Sequence, residues 1–84
     1  MVEPIDDYRI TSHAVFELQR RGIDESVLRS VLASPEQRHA LRRGRDVLQS
    51  RIAFDGEIYL VRVVVDVDRR PAEVVTVYRT SNVA

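Results

Sequence analysis

Pro35 divides the chain into two patterns that no single kind of element can satisfy. The residue before a proline is steered out of the helical region, so a helix arriving at Ala33 has to stop at Ser34. Upstream, apolar residues recur at helical spacing. Downstream, helical spacing gives way to runs of β-branched residues bounded by turn signals, the mark of strands. A chain built this way is α+β, with helices first and sheet after.

The upstream half holds two short helices. Ser12 is the expected N-cap of a helix over 13–21, and Gly22 stands where a left-handed residue closes it. In that register Ile23 contacts Leu18 to complete a Schellman motif. Asp24 caps a second helix over 25–33, with Ile23 facing Leu28 as a hydrophobic staple. One isoleucine therefore serves both helix ends.

The downstream half predicts strands. Leu48, Ile52 and Phe54 alternate with polar neighbours over 46–54, and Asp55-Gly56 is a hairpin signal that needs positive φ. A valine-rich strand over 57–67 reads as central and covered on both faces. Asp68 to Pro71 forms the next turn, 73–80 the last strand, and a weaker strand fits within 36–43. The expected fold is two N-terminal helices on one face of a three- to four-stranded antiparallel meander. Residues 1–7 and the last few look loose.

All 84 residues fit one domain, 1–84, with 44% hydrophobic content to build a small core. So small a core makes a partner useful, and a homodimer is compatible with it. Without cysteine there is no disulfide framework and no thiolate zinc site. The cytoplasm is the expected location, because the longest apolar run, Ile58 to Val65, is too short for a membrane and the N-terminus is acidic. Thirteen basic and thirteen acidic residues cancel, which disfavours indiscriminate nucleic-acid binding. The balance is uneven locally. Arg38, Arg42, Arg43, Arg45 and Arg51 form a basic block that would contact nucleic acid.

Chemistry-bearing side chains gather in three places. His13, Glu17, Arg20 and Arg21 share a stripe of the first helix, where an imidazole titrates near neutrality and guanidiniums clamp anions. The same stripe also fits an ordinary solvated face with i,i+4 pairs. Arg62 sits among apolar residues of a central strand, to be paired with Asp66 or a carboxylate on an adjacent strand, or to be used in a site. Tyr78 and Arg79 end the last strand facing opposite ways. Neither metal-ligand spacing nor a glycine-rich phosphate loop is present, so no cofactor or metal is expected.

The stretch SHAVFELQRRGIDESVLRSVLASPE, the RVVVD strand and the closing VVTVYRT resemble a family of small bacterial domains of unknown function. That family is grouped with RelE-type and BrnT-type toxins, which share a ribonuclease fold. The resemblance implies a metal-independent endoribonuclease, an mRNA interferase acting on RNA and held in check by a cognate antitoxin. His13 and Arg21 match the family's helix pattern, whereas Glu17 replaces an intermediate arginine; Thr76, Tyr78 and Arg79 match its terminus. On that basis His13, Arg21, Arg62, Tyr78 and Arg79 are the catalytic candidates. The alternative is a catalytically inactive module of the same fold that binds protein or nucleic acid.

Overall fold

A computed structural model describes residues 2–81. The elements run β1 (Tyr8–Ile10), α1 (Ser12–Arg20), α2 (Glu25–Ala33), β2 (Gln37–Arg42), β3 (Arg45–Phe54), β4 (Glu57–Asp66) and β5 (Ala72–Thr80). The fold is α+β, but the sheet has five strands in the order β1-β5-β4-β3-β2 and is mixed. Strands β2 to β5 form the expected antiparallel meander, while β1 adds a parallel edge, Tyr8, Arg9 and Ile10 pairing with Ala72, Glu73 and Val74. The wholly antiparallel sheet of three to four strands is therefore corrected. A three-residue strand is too short to show alternation, and its partner lies at the far end of the chain.

The segment before β1 is tied down rather than loose. Ile5 donates its amide to the Leu32 carbonyl at 2.9 Å, and the Glu3 carbonyl accepts from Arg38 at 3.1 Å. The expectation for the last few residues falls largely on positions 82–84, outside the described residues.

Helix α1 starts one residue earlier than expected. Thr11, not Ser12, is its N-cap: the hydroxyl oxygen accepts from the Ala14 amide at 3.2 Å and donates to the Val74 carbonyl at 2.8 Å. One side chain thus caps the helix and ties it to β5. At the other end Ile23 donates its amide to Leu18 at 2.9 Å and Gly22 to Gln19 at 3.3 Å, the two bonds of a Schellman motif. Gly22 has φ +63°, and a Cβ there would meet nothing within 4 Å. Replacing Gly22 with alanine should therefore cost only the left-handed backbone strain, about 1 kcal/mol. Urea denaturation followed by circular dichroism measures it.

The core lies between the helices and one face of the sheet. Ala14, Leu18, Ile23, Leu28, Val31 and Leu32 pack on Leu48, Val61, Val63, Val65, Val74 and Val77. Strand alternation sends Leu60, Arg62, Val64 and Asp66 to the other face, so β4 is not covered by helices on both sides. Val47 and Val64 are nevertheless buried there. Asp55 and Gly56, with φ 50° and 84°, make the primed hairpin turn that joins β3 to β4.

Candidate functional site

A polar row crosses the sheet face opposite the helices. The register places Tyr78 beside Arg62, Arg62 beside Gln49 and Gln49 beside Gln37, one residue from each of four strands. Arg62 Nε donates to Gln49 Oε1 at 2.9 Å, and the Gln49 side-chain amide donates to Gln37 Oε1. The Arg62 guanidinium lies 5.5 Å from the centre of the Tyr78 ring, a cation–π contact. Asp66, the partner expected for Arg62, is taken by Arg45 through two bonds of 2.6 and 3.2 Å.

Arg21, at the end of α1, approaches the same ring, 6.0 Å from its centre. Glu17 holds it there: Arg21 Nε reaches Glu17 Oε1 at 2.8 Å, and Arg20 Nε reaches the other oxygen at 3.2 Å. Glu17 is only 6% exposed, so the stripe is not a wholly solvated face. The hydrogen bond from Arg21, then that from Arg20, holds its carboxyl below the usual carboxylate range. His13 stands one turn before Glu17, exposed and without a hydrogen bond or ion pair among the described residues.

The structure thus brings Arg21, Arg62 and Tyr78 together; His13 stands eight residues before Arg21, more than two turns back along α1, and is not brought into that group. Arg79 lies on the opposite sheet face, 4.5 Å from the Phe54 ring centre and 4.8 Å from that of Tyr59. Tyr78 and Arg79 face apart, as alternation requires. Glu17, expected in the stripe with Arg20 and Arg21, pairs with both at the i,i+3 and i,i+4 spacings, whereas Gln49 was not among the expected site residues. Gln49 had a sequence signal: the Asp55-Gly56 turn pairs Phe54 with Glu57, and stepping back along both strands pairs Gln49 with Arg62.

Three of the five arginines of the basic block have counterions. Arg38 pairs with Asp46 at 2.8 Å, Arg45 with Asp66, and Arg51 with Glu36 at 3.2 Å. Only Arg42 and Arg43, near the β2–β3 turn, keep no carboxylate within ion-pair distance among the described residues. The charge run owes its density to cross-strand pairing, which on an exposed sheet contributes little stability per pair. Among the described residues no group of three or more histidine, aspartate or glutamate side chains could hold a metal, and no helix is long and apolar enough to cross a membrane.

Fold and site together define a small α+β domain with an arginine–tyrosine–arginine group at Tyr78, on the sheet face opposite its helices. The chain matches the family described as Domain of unknown function (DUF4258) over residues 10–79, nearly the whole fold from β1 to β5, and it belongs to that family. No curated protein and no solved structure matches it.

Proposed function

We propose that this domain is a metal-independent endoribonuclease, the toxin of a toxin–antitoxin pair, working on RNA at Tyr78. The observation that carries the reading is the meeting of two guanidiniums, one from a helix end and one from a central strand, on a single tyrosine ring. An aromatic ring stacks a base, and paired arginines bind the adjoining phosphate and the charge that builds on it. His13 takes the proton of the ribose 2′-hydroxyl; that oxygen bonds to phosphorus, the bond from phosphorus to the 5′-oxygen breaks, and the Tyr78 hydroxyl returns a proton to the leaving oxygen. The products are a 2′,3′-cyclic phosphate and a free 5′-hydroxyl. Message on the ribosome is the substrate in this reading, and a cognate antitoxin is the protein partner.

A second reading is a binding module without chemistry. It is favoured by His13, whose ring no hydrogen bond fixes among the described residues, and by Glu17, which neutralises Arg21. Purified protein incubated with RNA separates the two. Cleavage should leave cyclic-phosphate ends, and His13→Ala should slow it by about 10²- to 10⁴-fold while binding stays within about twofold. RNA bound by the wild type but left intact establishes the binding module. No growth inhibition on expression and no RNA binding would remove the nuclease and leave only a module that binds protein.

A further inference from the structure

In β3, β4 and β5 the arginines fall into two kinds. Arg45 and Arg51 each grip a carboxylate, whereas Arg62 and Arg79 have none within ion-pair distance among the described residues. Both of the latter are set against aromatic rings instead. They also stand at one level of the sheet, since Arg62 pairs with Tyr78 and Val61 with Arg79. The two stacks therefore lie back to back through the end of β5.

The second stack flanks the core, against which Phe54 packs. Phe54 and Tyr59 meet edge to face with ring centres 5.5 Å apart, and Arg79 covers both rings. A guanidinium against rings keeps its N–H donors outside the ring contact, free for a bidentate acceptor such as phosphate. All three side chains are only half-buried. β1 pairs with β5 only as far as Val74, so among the described residues no strand lies outside Tyr78 and Arg79.

We propose that Phe54, Tyr59 and Arg79 form a second stacking site that takes one nucleobase and its phosphate from the same single-stranded RNA held at Tyr78. This site rests on the RNA-directed reading above and extends it: the strand passes over the end of β5, with bases stacked on both faces of the sheet. Arg79 then acts in substrate binding, apart from the group that meets at Tyr78.

Fluorescence anisotropy with a labelled single-stranded RNA of about 12 nucleotides tests it, since that length fills a site of this kind. Tyr59→Leu and Arg79→Gln should each weaken binding about tenfold, Arg79→Lys should weaken it less, and Arg79→Gln should lower the salt slope by about one. RNA carrying a photoreactive uridine should crosslink to the peptide containing Tyr59 in the unaltered protein, a readout that does not depend on how the variants fold. Thermal melts run alongside, because a staple that merely closes the core would shift Tm and leave the dissociation constant alone. The inference is overturned if Arg62→Ala weakens binding while Tyr59→Leu and Arg79→Gln stay within twofold and crosslinks fall at Tyr78 alone. Absence of RNA binding by the wild type overturns the RNA-directed reading itself, and the second site with it.

Discussion

Truncating Leu28 to alanine should remove about 3 kcal/mol or more of folding stability, within the range seen when a buried leucine is cut back. Leu28 is fully buried in the first turn of α2 and belongs to the same core cluster as Ile23, itself 4% exposed. Removing its side chain empties part of the layer where α2 rests on β3 and β4. A domain of this size has roughly 5 to 10 kcal/mol in all, so the loss is a large share. With a urea m-value of about 1 to 1.5 kcal/mol/M, the unfolding midpoint should fall by about 2 to 3 M. Leu28→Met, which keeps the volume, should cost less than about 1.5 kcal/mol. A Leu28→Ala loss below about 1 kcal/mol would mean that α2 settles onto the sheet, contrary to a packed layer.

What the sequence made legible was local. Gly22 and Ile23 announce the end of one helix because the Schellman bonds join residues within five positions of each other. Asp55-Gly56 is similar: the turn chemistry resides in the dipeptide itself. The parallel strand β1 was illegible for the opposite reason. Tyr8 to Ile10 becomes a strand only because Ala72 to Val74 arrives beside it, and no pattern of three residues encodes that meeting.

The site shows the same division. Alternation placed Arg62 and Tyr78 correctly with respect to their strands, and the stripe brought Arg21 and Glu17 to one side of α1. What alternation cannot supply is register across β4 and β5, because the ladder shifts between Val64 and Val65. That shift decides that Tyr78, rather than a neighbour, lies beside Arg62. Counterions were also hidden: the run from Arg38 to Arg51 reads as a positive patch until pairing sets Arg38 by Asp46 and Arg45 by Asp66. Charge density along a strand therefore says little about charge density on a surface.

Glu17→Gln separates the architectural role of that carboxylate from its electrostatic effect on the site. Both guanidiniums that it holds belong to the last turn of α1 or the residue after it, so the variant frees Arg20 and Arg21 and loosens the packing of the helix end over Tyr78. The pH dependence has a definite sign. Glu17 has a folded pKa depressed below the ordinary 4.5, so its contribution to stability is complete above that value and is lost as pH falls through the folded pKa. Glu36, depressed chiefly by Arg51, and Asp66, depressed chiefly by Arg45, act in the same direction. Stability should therefore be flat from pH 5 to 7 and fall below about 4.5, less steeply in Glu17→Gln because one of the three groups no longer titrates. For RNA the variant should act oppositely. Releasing Arg21 from its counterion adds a phosphate contact beside Arg62, so binding tightens and the salt slope rises by about one. Weaker binding together with unchanged acid stability would show that Glu17 neither anchors Arg21 nor screens it.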